Sequence, residues 1–256
     1  MNVDDNALTS KVEHASHSGP SQSCREVRRY AVVALTNLTF GNATIKSYLC
    51  SFFPGFVDTM VGQLDTSGWE NLREATAHLF HNLAWKPDKS SKSLLSESRV
   101  VSVLMEAAME ASSRALTETP DGLAVEPGRD EPTLKVILSA LWNLSAHCKK
   151  NKADVCSIPG SLVFLVQLLR SRSTAVVENG GGILRNVSSY IATCSQGEEY
   201  RAILRSERCL ALLLSQLRSP SLTIVSNACG TLWNFSASEL GGRPGRETLR
   251  LRSSRC

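Results

Sequence analysis

One short phrase recurs along this chain and restricts it to a repeated structural unit. "SALWNLSAHC" at 139–148 returns as "GTLWNFSAS" at 230–238, with weaker copies "VALTNLTF" (33–40), "HLFHNLAW" (78–85) and "GILRNVSS" (182–189). The shared Asn stands at 37, 82, 143, 186 and 234, with separations of 45, 61, 43 and 48. Three of the four lie at or near a unit of 40–47 residues built from two or three helices. The long interval holds "SSRALTETPDGLAVEPGRDEP" (112–132), rich in Pro, Gly and acids. It reads as a surface loop inserted into one unit.

The rest of each unit repeats as well. A basic residue before an apolar pair recurs as "KSYL" (46–49), "KSLL" (92–95), "KADV" (152–155) and "RAIL" (201–204). Apolar segments of helical period follow: "FVDTMVGQL" (56–64), "VVSVLMEAAM" (100–109), "SLVFLVQLL" (161–169) and "CLALLLSQL" (209–217). Polar breaks such as "RSRST" and "RSPS" then supply helix starts. Each unit is therefore a short first helix, a second helix and a longer third helix carrying Asn. One such unit cannot bury its apolar faces alone, and stacking does it. The fold class is all-α, a right-handed superhelical solenoid of armadillo-type repeats with three helices each.

At 100° per residue, positions −3, −2 and +1 from the Asn share one side of the third helix. They are Ala34, Leu35, Leu38; Leu79, Phe80, Leu83; Ala140, Leu141, Leu144; Ile183, Leu184, Val187; and Thr231, Leu232, Phe235. This stripe is core, with Asn at its edge. Position −1 is Thr36, His81, Trp142, Arg185 and Trp233, a mixture that points outward beside the Asn.

An Asn amide both donates and accepts, so it matches one peptide unit of an extended chain. A row of them holds a peptide backbone while the −1 residues read its side chains. The candidate groove residues are Asn37, Lys46, His81, Asn82, Trp142, Asn143, Arg185, Asn186, Trp233 and Asn234. A second role stays open, in which each Asn bonds a carbonyl of the adjoining repeat and fixes the stack. The basic residues Lys46, Lys92, Lys152 and Arg201 recur in register. With Arg185 they make one groove wall basic and suited to acidic peptides. Gly180–Gly182, inside a third helix, implies close packing of repeats or an open groove wall.

Other chemistries find little support. Five Asn-x-Ser/Thr sites match a glycosylation sequon, but no apolar N-terminal run reads as a secretory signal. Eight Cys without a CxxC pair suit a cytoplasmic protein with reduced thiols. His78 and His81 lack a third metal ligand, His147–Cys148 with Cys156 is a weak pattern, and "GGGILR" lacks the GK[ST] of a phosphate loop. No cofactor, membrane insertion or enzymatic activity is expected. A net charge of +4 is modest for a nucleic-acid binder.

"LSALWNLSAHC", "NKADVC", "ENGGGILRNVSS" and "SLTIVSNACGTLWNFSA" closely resemble the armadillo-repeat domain of the adenomatous polyposis coli family, and "RRYAVVALTNLTFGN" fits its earlier repeats. The resemblance runs from about Arg28 to Ala237. It implies a scaffold of the β-catenin destruction complex that restrains Wnt signalling and acts on microtubules, polarity and migration. It implies linear peptide partners from a Rho-type GTPase exchange factor, a kinesin-associated adaptor and a membrane-recruitment protein. β-Catenin itself would bind only through regions absent here. Asn37, Lys46, Asn82, Asn143, Arg185 and Asn186 are the groove positions that match the family. His81 departs from it, standing where the family carries Arg, and pH-dependent binding is the expected consequence.

The expected organisation is a disordered polar segment (1–24), an armadillo domain of about five repeats (25–237) and an irregular basic tail (238–256) at which the array reads as truncated. Two rivals remain, a nucleic-acid-binding solenoid and a transport adaptor. Nuclear-import receptors pair Trp with an Asn four residues later, whereas Trp142 and Asn143 are adjacent.

Overall fold

The computed structural model describes residues 22–53, 55–64, 70–113, 116–119, 122–125, 131–146 and 148–241. Helix α1 (Gln22–Thr39) is followed by four helix triplets. They are α2 (Ala43–Phe52), α3 (Phe56–Leu64) and α4 (Glu70–Ala84); α5 (Lys89–Glu97), α6 (Val100–Ser113) and α7 (Glu131–Ser145); α8 (Lys149–Ser157), α9 (Ser161–Leu169) and α10 (Thr174–Ile191); and α11 (Gly197–Ser206), α12 (Cys209–Gln216) and α13 (Leu222–Gly241).

The punctuation is local chemistry. Asn42 Oδ1 accepts from Ile45 N at 3.0 Å to start α2, and Asp88 accepts from Ser91 N at 2.9 Å to start α5. Gly160, at φ 79°, makes the left-handed turn between α8 and α9. The Ser at each later break ties one repeat to the last. Ser173 Oγ donates to Glu131 Oε1 at 2.7 Å, and Ser221 Oγ to Glu178 Oε1 at 2.6 Å.

The third helices α1, α4, α7, α10 and α13 pack in that order and carry the ladder positions. Their stripe is buried in the interior copies: Leu79, Phe80, Leu83, Ala140, Leu141, Leu144, Ile183, Leu184 and Val187. The end copies depart from the expectation. Ala34 and Leu38 are exposed and Leu35 is only partly buried, because no described helix covers the outer side of α1. In α13 Thr231 is buried, whereas Leu232 and Phe235 are half-buried for the same reason.

Three boundaries differ from the sequence reading. Residues 22–24 are helical rather than part of a polar tail, and α13 runs on to Gly241. Residues 1–21 and 242–256 lie outside the described residues. The insertion is not a plain loop. Its ends belong to α6 and α7, and it contains an antiparallel hairpin, β1 (Leu116–Thr119) with β2 (Gly122–Val125). Arg170, at the end of α9, donates from Nη1 to Leu123 O at 3.3 Å and pins the hairpin to the stack.

Candidate functional site

Each interior Asn of the ladder makes the same contact. Asn82 Nδ2 donates to Thr36 O at 2.9 Å, and Asn143 Nδ2 to His81 O at 3.3 Å. Asn186 Nδ2 donates to Trp142 O and Asn234 Nδ2 to Arg185 O, both at 3.1 Å. The acceptor is always the carbonyl one residue before the preceding ladder Asn. Each Asn is thus a staple between neighbouring third helices.

A second acceptor accompanies the first. Ser145 Oγ takes Asn186 at 3.0 Å, and Ser188 Oγ takes Asn234 at 2.9 Å. Both serines stand two residues after a ladder Asn, and each donates its own proton to the same carbonyl: Ser145 to Trp142 O at 3.0 Å, Ser188 to Arg185 O at 2.8 Å. The sequons at 143 and 186 are this Asn-x-Ser staple, whereas the sequon Asn at 42 caps α2. Where position +2 is Ala84, the hydroxyl is missing and His81 Nδ1 replaces it, 3.2 Å from Asn143 Nδ2.

This bookkeeping revises the expected role of the amide. Two protons meet two acceptors at Asn143, Asn186 and Asn234, so these residues do not donate to a peptide as well. Their Oδ1 atoms accept from none of the described residues, and all three side chains are half-exposed. The ladder therefore offers a row of acceptors. Asn37 is exposed on α1, and no third helix precedes it among the described residues.

The −1 side chains do not all face outward. His81, Trp142 and Arg185 each lie over the residue four before the next ladder Asn. His81 Nδ1 is 2.9 Å from Ser139 Oγ. Trp142 covers Gly182, where an added Cβ would fall 2.2 Å from the indole. Arg185 stretches across Gly230, where a Cβ would meet its Nε at 2.4 Å, and Nη1 donates to Ser226 Oγ at 3.3 Å. Arg185 remains exposed, and Trp233, with no described helix beyond it, is 74% exposed. Gly180 is also held close, its Cβ position being 2.9 Å from Leu168 Cβ. The Gly triplet serves close packing, not an open wall.

The basic row is corrected as well. Lys46 is only 4% exposed, and its Nζ donates to Trp85 O at 2.8 Å, at the end of α4. Burial holds its pKa below the ordinary lysine range. Lys152 does the equivalent two units on, donating to Ser189 Oγ at 2.9 Å. Arg201 is turned toward Glu198 at 3.0 Å and Ile191 O at 3.5 Å. These residues mainly tie first helices to the ends of third helices, and Arg185 is left as the exposed cation of the ladder.

The comparisons with known proteins join this geometry to a family. The Armadillo/beta-catenin-like repeat family matches residues 197–237. The adenomatous polyposis coli protein of Homo sapiens is 50% identical over 215 residues, spanning 82% of this chain and 7% of that protein. The chain contains an armadillo-repeat domain of the adenomatous polyposis coli family. Human adenomatous polyposis coli protein 2 is 46% identical, over 82% of this chain and 8% of its own length. The adenomatous polyposis coli protein-related protein 1 of Caenorhabditis elegans is 33% identical, over 82% and 16%. The chain therefore spans a small part of these relatives.

Two designed armadillo repeat proteins share the fold. One has a TM-score of 0.64 at 20% identity, covering 86% of this chain and 79% of its own. The other, in complex with the peptide (KR)4, has 0.61 at 21%, covering 85% and 77%. An all-α armadillo solenoid is thus the architecture of this domain.

Several features of this armadillo domain escaped the sequence reading. A second pair of Asn staples lies two helical turns earlier: Asn179 Nδ2 donates to Lys135 O at 3.4 Å, and Asn227 Nδ2 to Glu178 O at 3.0 Å. Beside Asn143 a cleft of about 430 Å³ opens between repeats, lined by the exposed Trp85 with Lys92, Leu95 and Leu144. Among the described residues no group of His, Cys, Asp or Glu is placed to hold a metal, and His147 lies outside them. Burial pushes the Cys156 and Cys209 thiols up to about 12, so neither supplies a thiolate nucleophile.

His81 marks where this armadillo domain responds to acid. Burial, then His78 and then Lys46, hold its pKa below the ordinary histidine value, outweighing a Ser139 contact that raises it. A group with a lowered folded value takes its proton more readily when unfolded. Its contribution is complete at neutral pH and is lost as pH falls below about 6.5. Protonation at Nδ1 also removes the acceptor that holds Asn143. Thermal melts from pH 7.5 to 5 should show a falling midpoint, and His81→Asn should flatten that fall. An unchanged slope in the variant would place the titrating group elsewhere.

Proposed function

We propose that this armadillo domain binds an extended acidic peptide along the ladder of its third helices. Peptide N–H groups donate to the unused Oδ1 atoms of Asn143, Asn186 and Asn234, and Asn37 and Asn82 extend the row. Arg185, lying exposed between two rungs, pairs with a carboxylate of the peptide. The cleft at Trp85 and Lys92 takes a neighbouring side chain. The observation that carries this reading is the row of half-exposed Asn amides whose N–H groups are committed to the stack while their oxygens are not. A designed armadillo protein of the same fold is in complex with a basic peptide. The cation at Arg185 calls for the opposite charge here.

By kinship, the domain belongs to a cytoplasmic regulator that restrains β-catenin signalling and acts on the cytoskeleton and migration. Its peptides come from partners such as a Rho-type exchange factor, a kinesin-associated adaptor or a membrane-recruitment protein. Nucleic acid is the rival ligand class.

Titrating the chain into a fluorescent nine-residue peptide of alternating Glu and Ala tests this. Saturable binding is expected, with Arg185→Glu weakening it about tenfold or more and salt weakening the wild type more than the variant. A single-stranded oligonucleotide that binds tighter than the peptide, or an Arg185→Glu variant of unchanged affinity, would overturn the reading.

A further inference from the structure

One rung of the ladder is held by a titratable group. At the later rungs Ser145 and Ser188 take the second N–H of Asn186 and Asn234, and a hydroxyl does not change with ordinary pH. At Asn143 an imidazole has that place. Asn143 Nδ2 donates to His81 O at 3.3 Å and to His81 Nδ1 at 3.2 Å, and Ser139 Oγ stands 2.9 Å from the same ring nitrogen. Nδ1 accepts only while the ring is neutral, with its proton on Nε2. His81 is half-buried, and Nε2 has no hydrogen-bond partner among the described residues. The charges that act on the ring are cationic: His78 from its own helix and Lys46 from α2. Lys46 Nζ is fixed at Trp85 O, and Glu74 lies 4.0 Å from His78. α7 presents the neutral Ser139 and Asn143, and no described titratable group of α1, α3 or α5 acts on it.

We infer that His81 is a proton-operated anion site within the ladder: its imidazolium pairs with a carboxylate of the extended peptide, and its protonation releases one Asn143 N–H to the peptide backbone. The inference rests on the ladder being a peptide groove and adds the regulation of that groove. One proton makes two changes. Nδ1 turns from acceptor to donor and gives its hydrogen to Ser139 Oγ, already 2.9 Å away. Asn143 keeps His81 O with one N–H and has the other to offer, beside its unused Oδ1. That rung then donates and accepts at once, as a peptide unit requires. Asn186 and Asn234, tied by serines, stay acceptors. The ring also becomes a cation, and a peptide carboxylate answers it with a charge-assisted bond. Linkage fixes the sign. Burial, then His78 and Lys46, hold the free ring below the ordinary histidine value, whereas a bound carboxylate raises it. Binding therefore takes up a proton in the window between the two values, and affinity rises as pH falls through that window.

The test titrates the full chain into the fluorescent Glu–Ala peptide at pH 7.5 and 6.0, with the fold checked by circular dichroism at both. The peptide carboxylates stay ionised at either pH. The wild-type Kd should fall about fivefold or more, one proton allowing at most about tenfold per pH unit. Calorimetry in two buffers of different ionisation enthalpy should show uptake of about half a proton or more within the window. His81→Asn should bind with a Kd that ignores pH. His81→Arg should be equally insensitive to pH and bind more tightly than His81→Asn, because its charge is permanent. His78→Asn, the control for the other imidazole, should keep the pH dependence. Equal wild-type affinity at the two pH values overturns the inference and leaves the groove reading standing. So does a pH dependence that survives His81→Asn or vanishes in His78→Asn. A peptide that binds at neither pH overturns both.

Discussion

Gly182→Leu is expected to lower the melting temperature by roughly 6–12 °C, although the same change in an isolated helix is favourable. Helix propensity favours Leu over Gly by somewhat under about 1 kcal/mol. Packing opposes it. The first added carbon would already stand 2.2, 2.4 and 2.6 Å from Trp142 Cε2, Cδ2 and Nε1. These are ring atoms, so the whole indole must leave its seat. Overpacking of this kind costs about 1–3 kcal/mol or more, and the displaced indole also loses burial. A net loss near 3 kcal/mol corresponds to the stated shift for a domain of this size. The sign should reverse in a Trp142→Ala background. With the indole gone, Leu fills the vacated space and the helix gains its propensity, so the second substitution should be neutral or stabilising. A loss equal in both backgrounds would show that Trp142 does not enforce the glycine, and the rule linking positions −1 and −4 would fail.

That rule also shows what the sequence could disclose. Helix order, the third-helix stripe and the Asn positions followed from periodicity, because each is a property of one repeat read alone. The pairing of −1 with −4 is a property of two. Trp142 stands over Gly182 and Arg185 over Gly230, so a large residue meets an absent side chain some forty positions away. Read singly, Trp142 and Arg185 looked like outward-facing recognition residues, and the glycines looked like helix weaknesses. The sequons were visible as well, but the +2 hydroxyl acquires its meaning only when the next helix delivers an amide to it. Lys46 gave no sign of burial, since its partner is a main-chain carbonyl that carries no sequence signal. The hairpin was more accessible. "LTETPDGLAV" sets a Pro-Asp-Gly turn signal between two short segments, and its lack of helical period hid a strand pair inside what read as a loop.

Asn143→Ala with Asn186→Ala should weaken both the stack and the binding of the acidic peptide, and one control separates the two effects. On the folding side, Asn186 loses bonds to Trp142 O and Ser145 Oγ, and Asn143 loses His81 O and Nδ1. The abandoned carbonyl of Trp142 keeps Ala146 N at 3.2 Å and Ser145 Oγ at 3.0 Å, so no buried acceptor is stranded. The loss is then about 1 kcal/mol per residue, or about 4–8 °C for the pair. On the binding side, each Ala removes an Oδ1 acceptor from the peptide. A lost bond inside a desolvated contact is worth about 1–3 kcal/mol, so the affinity should fall ten- to a thousandfold or more. Ser145→Ala is the control. It takes one acceptor from the Asn186 staple but leaves the amide oxygen in the groove. It should lower the melting temperature by a few degrees and leave the peptide Kd unchanged. Melts by circular dichroism and anisotropy titrations of the folded protein supply both readouts. If the double variant melts early yet binds the peptide with the wild-type Kd, the ladder only staples repeats. If Ser145→Ala weakens binding as much as the Asn changes do, the peptide senses the stack as a whole and the amide oxygens are not its acceptors.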